Sequence, residues 1–362
     1  MISAVYYEYI YLFVITILTL YQYLQYNQYS WSRLLHPQPS SNTFAALLAV
    51  GLVLFIGFRP VSDLFADMVG YSRSYQFHED EPFAFDWSVD NKLFDNLLLW
   101  MASAGLDQTI WFTVIAAIYF GGIYVACRKM FPQDTLFAML VYLAAFSTFA
   151  AGVNGIKAGA AASLFLVALA YRDKKWVSYL FVALSYGFHH SMQLLVAAYI
   201  IVSLVKKPKY YLWLWCVSLL LAALHITFFQ ELFAGFTDEH GAQYLIADQS
   251  EEGVYLTGFR LDFIIYSAVP VLLGWYWVFK RGLKSEKYNF LYNLYLLANS
   301  VWMLCMYASF TNRIAYLSWQ LLPIVLIYPF LNERLSPNQY RTVGVVALGH
   351  LAFTLFMVFI YY

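Results

Sequence analysis

The feature that most limits what this chain can become is its row of apolar runs. They fall near residues 6–24, 43–58, 108–127, 135–151, 155–170, 176–188, 191–205, 211–229, 262–279, 289–307, 313–331 and 342–361. A helix perpendicular to a bilayer needs ~20 apolar residues. Several runs are shorter, so they must be shielded by neighbours, thin the bilayer or end in a cavity. Only 12% of residues are charged, against about 25% in soluble domains. The expected fold is therefore an all-α polytopic membrane protein with about twelve transmembrane helices. No repeat, low-complexity segment or Pro/Gly/Ser linker divides it, so residues 1–362 read as one integral membrane domain. The N-terminus has Glu8 and no basic segment, so Tyr9 to Tyr23 reads as a retained span rather than a cleaved signal.

Formal net charge is zero, which excludes a general basic surface for nucleic acid. The three cysteines, Cys127, Cys216 and Cys305, lie in or at the ends of apolar runs and give neither a disulfide framework nor metal spacing. No metal site is expected. Aromatics reach 20%; many suit the two membrane interfaces, and some could stack on sugars.

Lysine and arginine set the orientation. With the N-terminus outside, 15 of the 21 cations, from Arg33 to Arg341, fall on inner loops, and both termini lie outside. Two long polar segments, about 59–107 and 230–261, are then external, and nearly all the acids fall outside, including those at 63–107 and 238–252. Within the first, residues 90–104 read as a short amphipathic helix lying in the interface.

Six cations remain outside: Arg59, Arg73, Lys92, Lys157, Arg260 and Arg313. Arg73 and Lys92 lie in polar loop. The other four each sit at the outer end of an apolar run, where a buried cation costs roughly 2.5–3.5 kcal/mol at full depth. Four at one depth suggest a shared anion. The plainer reading is four separate pairings or interfacial anchors, Arg260 with Asp262 for instance.

Around these cations the local sequence is suggestive. Pro60 suits a first helical turn, so the segment after Arg59, 60–71, reads as one polar helix on which Asp63, Asp67 and Tyr71 share a face. Asn154 can cap a helix that begins with Lys157 among small residues, Gly155, Ala158, Gly159 and Ala160. A helix N-terminus favours phosphate. Arg313 opens another run in the same way. His189-His190-Ser191 splits a long apolar stretch after Gly187, which predicts a tight hairpin or broken helix.

These pieces resemble the EpsG-like branch of the Wzy-type polysaccharide polymerases. The resemblance rests on Arg59-Pro60-Val61-Ser62 with Asp67 and Tyr71; Asn154-Gly155-Ile156-Lys157; Phe188-His189-His190-Ser191; Gly258-Phe259-Arg260-Leu261-Asp262; and Asn312-Arg313-Ile314-Ala315-Tyr316 with Trp319. They occur in the family's order over about 59–323. The family usually has arginine where this chain has Lys157, which keeps the charge without the bidentate fork.

The resemblance implies a GT-C-like helical bundle in the cytoplasmic (inner) membrane. Its activity would be a glycosyltransferase joining undecaprenyl-pyrophosphate-linked oligosaccharide repeat units on the outer face. Undecaprenyl pyrophosphate would be lipid carrier and leaving group; no cofactor is implied. Partners would be the lipid-linked oligosaccharide, membrane lipid and a chain-length regulator protein. The reaction needs cations for the leaving pyrophosphate and a base for the sugar hydroxyl. Arg59, Lys157, Arg260 and Arg313 are assigned to the pyrophosphate. Asp67 or His189 is the base, and Asp63, Tyr71, Asn154, His190 and Trp319 face sugar. An O-antigen ligase would use the same donor with a different acceptor. A membrane O-acyltransferase would need cytosolic access to its acyl donor. A lipid-linked-sugar flippase predicts charged residues lining a path through the midplane.

Overall fold

The computed structural model describes residues 2–29, 39–234, 258–308 and 311–361. Arg33, and the acids at 238–252 with most of the 230–261 segment, lie outside the described residues. Those described form helices and no strands. In order they are α1 (Tyr7–Tyr26), α2 (Pro39–Gly57), α3 (Met68–Phe77), α4 (Lys92–Ser103), α5 (Gln108–Met130), α6 (Thr135–Leu143), α7 (Thr148–Val153), α8 (Ile156–Ala170) and α9 (Lys175–Phe188). Then come α10 (Gln193–Leu204), α11 (Pro208–Ala223), α12 (Phe228–Ala234), α13 (Leu261–Trp275), α14 (Glu286–Leu304), α15 (Thr311–Trp319), α16 (Leu322–Asn332) and α17 (Gln339–Phe356).

Among the described residues, five helical stretches are long and apolar enough to cross a membrane: Ala4–Tyr26, Gln108–Met130, Leu261–Lys280, Thr311–Asn332 and Gln339–Tyr361. Ser41–Gly57, Ile156–Ala170 and His190–Leu204 are apolar but shorter. The chain is thus a helical membrane protein. Among the described residues such stretches are fewer than the apolar runs because 135–151 divides into α6 and α7, and because α8, α9 and α10 have only 15, 14 and 12 residues.

The chain separates into two compact units, one of Met1–Gln193 with Phe330–Tyr362, the other of Leu194–Pro329. In the first, every residue of α6 is buried, so its C-terminal carbonyls have no water to turn to. Side chains satisfy them instead. The Tyr11 hydroxyl donates to Leu143 O at 2.7 Å, Thr354 Oγ1 to Ala144 O at 2.7 Å and Thr148 Oγ1 to Tyr142 O at 2.8 Å. The Tyr119 hydroxyl reaches Thr148 O at 3.0 Å on the far side of the break. Small residues bring the neighbouring elements close, as expected. A Cβ on Gly122 of α5 would lie 2.7 Å from Ser163 Oγ of α8, and one on Gly159 would collide with Ala151 O of α7.

The second unit is tied by buried indoles and amides. Trp215 Nε1 of α11 donates to Asn299 Oδ1 of α14 at 2.8 Å, and Asn299 Nδ2 donates to Ser318 Oγ of α15 at 3.0 Å. Trp319 Nε1 donates to Ser267 Oγ of α13 at 2.9 Å.

Candidate functional site

The 59–71 segment is not one helix. A single 3-10 turn covers Asp63–Phe65, Ala66 takes φ +44°, and α3 begins only at Met68. Local bonds win here over helical propensity. Ser62 Oγ accepts the Leu64 N–H at 3.3 Å, and the Asp67 N–H donates to Asn154 Oδ1 at 3.2 Å. Asp63 is therefore separated from Asp67 and Tyr71 by the Ala66 bend, while the Asp67-to-Tyr71 turn survives, with Tyr71 N bonded to Asp67 O at 3.1 Å. Asn154 likewise does not cap α8. That position falls to Gly155, without a side-chain bond, because the Asn154 amide oxygen is engaged by Asp67.

Arg59 lies just past α2 and is buried. Its Nη1 donates to Ile56 O at 2.7 Å and its Nη2 to Val153 O at 3.0 Å, the C-terminal ends of α2 and α7. The guanidinium carbon stands 5.0 Å from the Phe112 ring centre and 5.6 Å from that of Phe65. Helix C-termini carry partial negative charge, so this cation is already balanced by two of them.

Lys157 occupies the first turn of α8 as expected, with a partner the sequence reading missed. Its Nζ is 2.8 Å from Asp95 Oδ1 on α4. The ammonium also stands 5.1 Å from the Phe94 ring centre and 5.7 Å from that of Tyr71. The amphipathic helix expected at 90–104 is α4; Phe94, Leu98 and Met101 are buried on its apolar face. The close approach of Gly187 to Leu93 packs α9 against α4.

At the end of α9 the helix breaks as the sequence suggests. His189 is extended (φ −152°, ψ 121°), and His190–Met192 makes a 3-10 turn before α10. The Ser191 N–H donates to His189 Nδ1 at 3.1 Å. The His190 N–H donates to Asn91 Oδ1 at 3.1 Å, and His190 Nδ1 lies 3.2 Å from the same oxygen. Asn91 Nδ2 in turn donates to Asp95 Oδ2 at 3.3 Å. The first unit thus joins Lys157, Asp95, Asn91 and His190 in one hydrogen-bonded line across α8, α4 and the 189–192 turn. Neither Asn91 nor Asp95 stands out in the sequence; the only signal is their spacing of four on an amphipathic helix, which puts them on one face.

In the second unit, Arg260 precedes α13 and clasps Asp262 with both ends of its guanidinium, Nε to Oδ1 at 3.0 Å and Nη2 to Oδ2 at 2.5 Å. It lies 3.7 Å over the Phe263 ring. Arg313 is an exposed residue of the first turn of α15. Trp319 is fully buried, edge-on to Phe263 at 4.7 Å and to Tyr266 at 5.3 Å, and is presented to no surface. The unit also contains an apolar pocket lined by Leu195, Ala198, Leu297, Val301 and Leu317. No group of three or more His, Cys, Asp or Glu suited to a metal occurs among the described residues.

A model of the EpsG family matches residues 42–362. No curated protein and no solved structure matches the chain significantly.

Proposed function

Since the chain belongs to the EpsG family, we propose that it is a membrane glycosyltransferase of the polysaccharide-polymerase type. In this reading it transfers a growing glycan from undecaprenyl pyrophosphate to the terminal sugar of the next lipid-linked repeat unit. The work is done at the outer face of the cytoplasmic membrane by a GT-C-like bundle of about twelve crossings. The observation that carries the reading is the first unit's polar line, which joins a cation at a helix N-terminus to an imidazole through Asp95 and Asn91.

The chemistry follows from those groups. The lipid pyrophosphate gains charge as it leaves, and Lys157, at the positive end of α8, is suited to meet it. An ammonium held against Tyr71 and Phe94 is shielded from water on those sides, which strengthens its field. Arg260 and Arg313 carry the same assignment from the sequence. Arg59 carries it too, although its carbonyl partners give it a second occupation. Asp67 and His189 are the sequence-assigned bases. Asp63, Tyr71, Asn154, His190 and Trp319 carry the sugar assignment; Trp319 would need to leave its buried position to meet one. The apolar pocket of the second unit suits a polyprenyl chain in chemistry. Undecaprenyl pyrophosphate is carrier, not cofactor, and a chain-length regulator is the expected protein partner.

Deleting the gene tests the class. A polymerase deletion leaves single repeat units on the acceptor. A ligase deletion leaves polymer that is made but never attached. Unchanged surface glycan would remove both readings.

A further inference from the structure

The 189–190 pair contains two imidazoles held in opposite protonation patterns, and the geometry points to His190, in place of the sequence-assigned Asp67 or His189, as the residue that takes the acceptor hydroxyl's proton, with Asn91 and Asp95 as its positioning residues. This deepens the polymerase reading and, for its catalytic part, rests on it.

A backbone N–H can only donate. The His190 N–H points at the Asn91 side chain, so the atom there is the amide oxygen. The other end of that amide faces the Asp95 carboxylate, which can only accept when ionised, so the nitrogen belongs there. Two partners thus fix the amide orientation independently. His190 Nδ1 lies 3.2 Å from the fixed oxygen and must carry a proton to bond with it. A neutral ring protonated on Nδ1 keeps its basic lone pair on Nε2.

His189 is the reverse. The Ser191 N–H donates to His189 Nδ1, which therefore uses its lone pair there, and the neutral ring carries its proton on Nε2. The ring centres are 5.0 Å apart. One ring is set up to accept a proton through Nε2, the other to donate through Nε2. Asn91 is 8% exposed, so water competes little for the bond that fixes His190. Asp95 anchors Asn91 from one side and holds Lys157 with its other oxygen, so the base and the cation share one support.

In the transfer, the acceptor hydroxyl oxygen bonds to the donor's anomeric carbon. The bond from that carbon to the pyrophosphate oxygen breaks, and its electron pair leaves with the lipid pyrophosphate. The hydroxyl proton passes to His190 Nε2, giving an imidazolium whose Nδ1–H remains on Asn91. General-base catalysis of this kind contributes about 10²–10⁴-fold.

The test uses the full-length protein, ¹⁵N-labelled at histidine and reconstituted in lipid, with H189Q and H190Q to assign the signals. With both rings neutral, His190 should show the Nδ1–H tautomer and His189 the Nε2–H tautomer. N91L should return His190 to mostly Nε2–H and leave His189 unchanged. Turnover of a lipid-linked repeat unit should fall by about 10²-fold or more in H190Q. N91L should lose much of that activity, while N91S, which keeps an acceptor oxygen, should restore part of it. A wild-type His190 carrying its proton on Nε2 would overturn the positioning argument whatever the enzyme's activity. The Nδ1–H tautomer with H190Q turning over at the wild-type rate would overturn its role as base. Correct tautomers in a protein that consumes no lipid-linked sugar at all would defeat the polymerase reading and the catalytic role resting on it, leaving the geometry standing.

Discussion

Arg59 Nη2 donates to Val153 O at 3.0 Å, fastening the end of α7 to the residue that follows α2. A second bond to Ile56 O closes the clasp. Charge-assisted bonds of this kind contribute roughly 1.5–3 kcal/mol each. Set against the cost of burying the guanidinium, the two bonds mean that R59A should lower the stability of the detergent-solubilised protein by on the order of 2–3 kcal/mol, and R59K by about half as much. Equilibrium unfolding in a denaturing detergent series measures it. An R59A protein as stable as wild type but without polymer would make Arg59 a ligand and nothing else.

Arg260 and Asp262 face each other with side chains only 9% and 11% exposed. Removing one member leaves a poorly solvated charge, at about 3–5 kcal/mol. R260A should therefore destabilise the protein and abolish polymer while leaving it in the membrane. R260A/D262A should recover most of the stability and none of the polymer. Recovery of both in the double variant would make the pair structural only.

The break between α6 and α7 is held by side-chain caps, among them Thr354 Oγ1 on Ala144 O. Hydrogen bonds between membrane helices average about 0.6 kcal/mol and reach about 1.7 kcal/mol. T354V keeps the shape and removes the donor, so it should cost about 1 kcal/mol, read from the unfolding midpoint. No change would mean that the Ala144 carbonyl finds another donor at no loss.

Asp107 caps α5 from outside the span, its Oδ1 taking the Thr109 N–H at 2.7 Å. The Thr109 side-chain hydroxyl, and after it the Thr109 N–H, hold its carboxyl below the usual range. A depressed carboxylate stabilises the fold above the unfolded pKa near 3.9 and loses that contribution as pH falls through the folded value. D107A should cost about 1 kcal/mol at pH 7. The gap from wild type should shrink as pH drops below about 4. D107N, which keeps an acceptor, should stay near wild type at both.

Sidedness is open to chemical labelling. Cys216 is exposed, and Cys127 and Cys305 are buried, so C216S gives a quiet background. On that background H189C and F259C should react with an impermeant maleimide in right-side-out vesicles. K174C should react only after permeabilisation. The opposite pattern would invert the orientation and end the outer-face account.

Several parts of this arrangement could be read from the sequence. Lys157 at a helix start, the break at His189 and the amphipathic helix over α4 all follow from charge, small residues and period, which act locally. The partners could not be read. Asp95 sits 62 positions before Lys157 and looks like an ordinary charge on the wet face of a surface helix. Asn91 looks like an ordinary cap, yet it reaches 99 positions along the chain to His190. The 59–71 segment misleads for the same reason. Its helical spacing is real, but Asn154, 87 positions away, takes the Asp67 N–H and helps bend the chain at Ala66. The Arg260–Asp262 pairing, in contrast, needs only two residues of separation and is visible in the sequence.

The most direct measurement is to reconstitute the purified protein with a single defined undecaprenyl-pyrophosphate-linked repeat unit and resolve the products by size. The account predicts a ladder of glycans differing by one repeat, with free undecaprenyl pyrophosphate released at each step. An unchanged donor, or one transferred a single time with no ladder, would contradict it.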